Sequence, residues 1–184
     1  MDDQQQVCDN VITSAMKLVM RANPLLNIQP TCLPTQLLEY NPTETIHIHH
    51  NGSGHFVTST SIGARVRVYD SLNQDPTDDL LNQLASLYSL DSDPSSPTFP
   101  EVQLMEIAHE QEGGVDCGQF AIAYAVDLAF GAEPCGIVYN QIGMRRHLID
   151  ALISGTIKQF PRHGILDPPY HYRDSTKHIS KTRK

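Results

Sequence analysis

The segment from Cys117 to Phe130, Cys-Gly-Gln-Phe-Ala-Ile-Ala-Tyr-Ala-Val-Asp-Leu-Ala-Phe, is apolar almost all the way round a helix. Such a helix cannot rest on a surface with one face in water. It must be packed from several sides, so the fold has to be built around it. Gly131 follows directly and supplies a stop. Gln111-Glu-Gly-Gly-Val-Asp116 precedes it as a glycine-bearing loop, which puts Cys117 at the seam between loop and buried helix. A thiol at a helix N-terminus is drawn toward its nucleophilic thiolate by the partial positive charge there. Gln111, six residues upstream, is close enough to fold back over that thiol. Cysteine hydrolase chemistry is the first expectation.

The rest of the chain supplies layers to surround this helix. Asp9 to Ala22 carries Val11, Ile12, Ala15, Leu18 and Val19 at helical spacing, with Asp9 or Asn10 as its cap. Pro24, Pro30, Pro34 and Pro42 make Asn23 to Thr43 mostly loop. Thr45 to His50 alternates as a strand, Asn51-Gly-Ser-Gly54 turns, and Phe56 to Ile62 is β-branched and strand-like. Arg65 to Tyr69 alternates again, completing a three-strand antiparallel meander that ends at Asp70. Thr77 to Leu90 aligns Leu80, Leu81, Leu84, Leu87 and Tyr88 on one helical face. Ser89 to Pro100 reads as an exposed connection and Val102 to Ala108 as a strand. Asn140 to Ser154 is amphipathic, with Met144, Leu148, Ala151 and Leu152 inward and Arg145, Arg146 and Asp150 outward. From Gly155 the Pro-, His- and Lys-rich sequence reads as a poorly ordered tail. The expected division is a catalytic domain over residues 7–160 and a basic tail over 161–184. The element order predicts an α+β domain with a mixed or antiparallel sheet.

Composition narrows the function classes. The net charge of -8 is uneven: His171 to Lys184 holds five Lys/Arg and one Asp, leaving 8 basic and 20 acidic residues elsewhere. A general nucleic-acid binder would show a basic face instead. No apolar run approaches the roughly 18 residues of a membrane-spanning helix. The four cysteines, at 8, 32, 117 and 135, are widely spaced with no C-x-x-C pair, and the acidic start is unlike a signal peptide. A reduced intracellular protein of nucleus or cytoplasm is expected.

A thiolate nucleophile needs an imidazole to manage its proton, a carboxylate to orient that imidazole, and donors for the oxyanion formed on acyl attack. His55 opens one predicted strand and Asp70 ends its neighbour, so a short hairpin brings both to one rim of the sheet. The side-chain amide of Gln111 and the backbone N–H of Cys117 can serve the oxyanion. Taken singly, each residue has a plain structural reading. A helical Cys is more often a small buried hydrophobe, Asp before Ser a turn former, and Asp116 an N-cap.

Their combination is more specific. His55-Phe56, Tyr69-Asp-Ser-Leu72, Gln111 and Asp116-Cys-Gly118 occur in one order, each at a predicted element boundary. This resembles the ubiquitin-like-protein-specific (SUMO or sentrin-type) cysteine proteases, relatives of the adenovirus-type proteases, whose pattern runs His-Trp, Tyr-Asp-Ser-Leu, then Gln-x-x-x-x-Asp-Cys-Gly-x-Phe. Asp9-Asn-Val-Ile12, Gly131, Tyr139-Asn-Gln141 and Met144-Arg-Arg-His-Leu148 extend the resemblance over roughly Asp9 to Ser154. It implies a papain-like variant fold with the nucleophile at the N-terminus of the central helix. It implies Cys117 as nucleophile, His55 as base and then acid, Asp70 as orienter and Gln111 in the oxyanion hole, with Phe56, Asp116 and Gly118 toward the substrate. The implied partner is a ubiquitin-like modifier of the SUMO or NEDD8 class and its conjugates, cut after the C-terminal Gly-Gly through a thioester. No metal or organic cofactor is implied.

The sequence departs from the family at two tunnel-forming Trp positions: Phe56 takes one, and the other falls near Gln6 or Val7. Other readings remain open. They are a noncatalytic modifier-binding module of the same fold, a viral or transposon-type polyprotein protease, and a papain-like pairing of Cys32 with His147 or His163. His47, His49 and His50 have no Cys or carboxylate at ligand spacing and do not read as a metal site.

Overall fold

The computed structural model describes residues 6–29, 31, 44–63, 65–88 and 101–174. In chain order the elements are α1 (Asp9–Ala22), β1 (Ile46–His50), β2 (Phe56–Thr60), β3 (Val66–Tyr69), α2 (Asp78–Tyr88), β4 (Val102–Met105), α3 (Cys117–Ala129), β5 (Ile137–Tyr139), α4 (Gln141–Ser154), β6 (Arg162–Ile165) and β7 (Tyr172–Asp174). The main sheet runs β1-β2-β3-β4-β7, and β5 pairs with β6. The β1-β2-β3 meander is antiparallel as expected, β3 and β4 are parallel, and β7 returns antiparallel. The sheet is therefore mixed. No described helix is long and apolar enough to cross a membrane.

Each central strand is buried on both faces, and its alternation sorts side chains between two cores. Ile46, Ile48, Phe56 and Tyr69 join α1, α3 and α4 on one side. Val57, Val66, Val68 and Leu104 meet Leu80, Leu84 and Leu87 of α2 on the other. Residues Cys117 to Leu128 of α3 are all buried. That burial explains the almost wholly apolar sequence: sheet, α1 and α4 surround the helix.

Three expectations need correction. Neither Asp9 nor Asn10 caps α1; Cys8 holds the N-cap position without a side-chain bond, and Asp9 lies in the first turn. Arg145 is not outward but buried against Asp116, while Arg146 and Asp150 do face water. The segment after Gly155 does not remain a featureless tail, since β6 and β7 both lie within it. The Ser89–Pro100 connection and residues 175–184 lie outside the described residues, as does most of the Asn23–Thr43 loop.

Candidate active site

The hairpin between β1 and β2 carries the imidazole. Asn51 Oδ1 accepts from Ser53 N at 3.0 Å, Ser53 Oγ at 2.9 Å and His55 N at 3.1 Å, wrapping the turn around one side-chain oxygen. Gly52 and Gly54 both take φ +81°, a conformation that excludes most other residues. Thr77 Oγ1, at the start of α2, donates to Asn51 O at 2.6 Å and ties the turn down. His55 then enters β2 with its ring buried.

Asp70 lies one strand away, at the end of β3. His55 Nε2 and Asp70 Oδ1 are 2.6 Å apart. Asp70 is fixed by the chain that follows it: Leu72 N donates to Oδ1 at 2.8 Å and Gln74 N to Oδ2 at 3.2 Å. With Nε2 committed to Asp70, Nδ1 is the ring nitrogen left for Cys117, and imidazole and sulfur each favour the other's charged form.

Three groups act on the sulfur. The side-chain amide of Gln6 donates to it, Nε2 lying 3.0 Å from Sγ, and His55 and the Phe56 backbone also favour its charged form. Burial alone would push the Cys117 thiol up, but these partners outweigh it and hold the thiol below its ordinary value. For His55, burial opposes the charged form, yet Asp70 and the sulfur together push the imidazole up to about 9. Each shift favours the charged form of its group, thiolate for Cys117 and imidazolium for His55.

Gln111 is buried and bound to Ser71, the residue after Asp70. Its N–H donates to Ser71 O at 3.0 Å, Ser71 Oγ donates to its Oε1 at 2.6 Å, and its Nε2 donates to Gly113 O at 2.8 Å. The Tyr-Asp-Ser-Leu turn thus holds the imidazole through Asp70 and Gln111 through Ser71. One hydrogen of the Gln111 amide is committed to Gly113, leaving the second for another acceptor.

Phe56, Asp116 and Gly118 stand behind the reacting groups. Phe56 is buried, edge-on to His50 with ring centroids 5.2 Å apart. A Cβ on Gly118 would stand 3.2 Å from Val7 Cβ and 3.5 Å from both Ile12 Cδ1 and Phe56 Cδ2, so glycine permits close packing there. Asp116 precedes α3 without capping it through its side chain. Instead its carboxylate accepts from Gln119 Nε2 at 2.8 Å, Gln141 Nε2 at 2.7 Å and Arg145 Nη2 at 3.2 Å. Gln141 also exchanges two bonds with the Glu112 backbone, both 2.8 Å, bracing the loop that leads to Cys117.

The other sequence candidates are placed elsewhere. Cys32 lies outside the described residues. His147 packs on Phe160 and contacts Lys158 O at 3.0 Å, and His163 is exposed in β6. His49 is fully buried on the α2 side of the sheet, with Nδ1 3.0 Å from Gln83 Oε1 and Nε2 2.7 Å from Ser59 Oγ. Gln6 is the residue at the sulfur whose chemistry sequence reading missed. Its only signal was the resemblance, which puts a tunnel Trp near Gln6 or Val7.

Solved structures share this architecture. The C-terminal Ulp1 protease domain in complex with Smt3, the yeast ortholog of SUMO, is similar with a TM-score of 0.64 at 16% identity, over 83% of this chain and 79% of that one. The SUMO protease Ulp1 with its catalytic cysteine oxidized to a sulfinic acid gives 0.64 at 14% identity, over 85% of this chain and 81% of that one. No family model and no curated protein matches the sequence. The likeness is one of fold: this chain is an α+β domain of the Ulp1 protease-domain architecture, with its buried Cys117 at the start of the central helix.

Proposed function

We propose that the protein is a cysteine peptidase that cuts the peptide or isopeptide bond after the C-terminal Gly-Gly of a ubiquitin-like modifier, of the SUMO or NEDD8 class. The observation that carries the reading is the 2.6 Å bond between His55 and Asp70, with Cys117, whose charged form His55 favours, at the N-terminus of α3. Likeness in fold to a protease domain solved with a SUMO ortholog supports the substrate class.

The geometry suits acyl transfer. The Cys117 thiolate attacks the carbonyl carbon, forming the C–S bond while the C=O electrons move to oxygen. The Cys117 N–H and the free Gln111 amide hydrogen serve that oxyanion. His55 Nδ1–H then protonates the departing amine as the C–N bond breaks, leaving a thioester and a neutral imidazole. That imidazole takes a proton from water, whose oxygen attacks the thioester. Breaking the C–S bond returns the thiolate beside the imidazolium and releases a carboxylic acid, which gives its proton to solvent. Asp70 keeps the ring oriented throughout and stabilises its charged form.

Incubation with SUMO, NEDD8 and ubiquitin carrying C-terminal electrophiles tests the reading. A covalent adduct at Cys117 with one of them, absent in Cys117→Ala, is expected. No adduct with any of the three would overturn the modifier assignment. A peptide-library profile with no Gly-Gly requirement would move the substrate to the polyprotein class.

A further inference from the structure

Gln6 lies just ahead of α1, 111 residues from Cys117 in sequence, yet its amide reaches the reacting sulfur. Nε2 donates to Cys117 Sγ at 3.0 Å and to Gly54 O at 2.7 Å. A primary amide has two hydrogens, and this pair of bonds occupies both. The position is built rather than incidental. Val7, the next residue, is buried in the core against Gly118, so the backbone carrying Gln6 is anchored beside the nucleophile's own helix. Gly54 directly precedes His55, so one side chain links the turn bearing the base to the nucleophile.

We propose that Gln6 is a further catalytic residue of this site, a hydrogen-bond donor to the Cys117 thiolate. The bond is charge-assisted when sulfur carries its negative charge and weak when sulfur is a thiol or thioester. Gln6 therefore favours the resting thiolate and loses most of that interaction once the sulfur is acylated. The other groups facing the sulfur are His55, at the lead-in to β2, and the Phe56 N–H of β2, with Asp70 acting through His55. The neighbouring Asp116 carboxylate is occupied by Arg145, Gln119 and Gln141.

A donor of this kind leaves a signature that a structural wall does not. Holding the thiolate raises its fraction in acid but lowers its intrinsic nucleophilicity. Removing the donor should slow the reaction at low pH and leave it equal or slightly faster once the thiol is fully ionised. The test is alkylation of Cys117 by iodoacetamide, in which the sulfur forms a C–S bond and iodide leaves, followed across pH in the full chain. Gln6→Met keeps the length without the donor. At about pH 5.5 it should react roughly tenfold more slowly than wild type, with the two profiles converging or crossing in alkali. Gln6→Glu, which sets a like charge against the sulfur, should move the acid limb further in the same direction. Thiolate absorbance, as the difference from Cys117→Ala, should show the same ordering. Unchanged acid limbs in both variants, or a uniform loss of rate at every pH, would overturn the proposal. Alkylation needs no peptide substrate, so its failure is distinct from failure of the peptidase reading.

Discussion

A carboxylate that orients an imidazole must itself be held, and Asp70 is held by the backbone that follows it. Leu72 N and Gln74 N donate to its two oxygens, so its direction does not depend on His55. Asp70→Asn should therefore keep the turn but lose the charge, lowering kcat/KM by up to roughly 10⁴-fold while leaving measurable turnover. The pH profile should change with it. In the wild type, activity should rise as Cys117 ionises, below the ordinary thiol value, and fall as pH passes through about 9, where His55 loses its proton. Asp70 contributes to the raised value, so in Asp70→Asn the alkaline limb should move to lower pH; an unmoved limb would separate Asp70 from the titration of His55. Gln111→Ala removes an amide donor without touching the thiolate's partners. Its kcat should fall by roughly 10²-fold or more, with Cys117 alkylation unchanged. Near-normal kcat would take Gln111 out of the oxyanion hole.

At the scale of elements, the alternation along β1 and β2 puts different chemistry on the two faces of one sheet. Phe56 and Thr58 face α3, where Thr58 Oγ1 donates to Ala121 O at 2.8 Å, while Ser59 faces α2 and meets His49 and Tyr88 at 2.7 Å. Full burial, opposed only in part by the bond with Gln83, lowers His49 from its ordinary 6.5 to about 4. Below about 6.5 the unfolded chain takes up a proton that the folded chain refuses until about 4, so stability should fall as pH falls through that window. His49 alone accounts for about 3 kcal/mol of the loss, and burial of His47 acts in the same direction. His49→Gln should flatten the dependence of the urea midpoint on pH between those limits; parallel slopes would refute this account. Elements whose own side chains are buried were readable: α1, α2 and α3 follow their apolar spacing to within a few residues. β6 and β7 were not, because Arg-His-Gly-Ile of β6 and Tyr172-Arg173 of β7 bury little, and the two strands form by pairing with β5 and β4. Arg145 and Gln6 escaped for a related reason. Their partners, Asp116 and Cys117, lie far away in sequence, and no local pattern announces a long-range bond.

For the molecule as a whole, the decisive issue is where the cooperative unit ends. Composition suggested a boundary near residue 160, with a tail beyond it. The contacts from beyond that point reach both the core and the site. Arg162 lies 3.6 Å from Asp127, a fully buried carboxylate of α3 that also accepts from Tyr139 and Gln159. From β7, Arg173 donates to Asn73 O at 2.8 Å and to Asp75 at 2.6 Å, inside the stretch that follows Asp70. Asn73 needs such support, since it takes φ 48° and bridges to Ile107 and Glu110. Arg173 and Asp75 are well exposed, so their ion pair adds at most about 1 kcal/mol and the carbonyl bond does more to fix the turn. We therefore expect that deleting residues 161–184 removes part of the folded unit rather than an appendage. The truncated chain should melt well below the full chain, or without a cooperative transition, as β4 loses β7 and β5 loses β6. The milder Arg173→Ala should change melting little but lower kcat several-fold, because the turn that fixes Asp70 loses one of its outer ties. A truncated chain with the full chain's Tm, together with unchanged kcat in Arg173→Ala, would put the boundary back at residue 160.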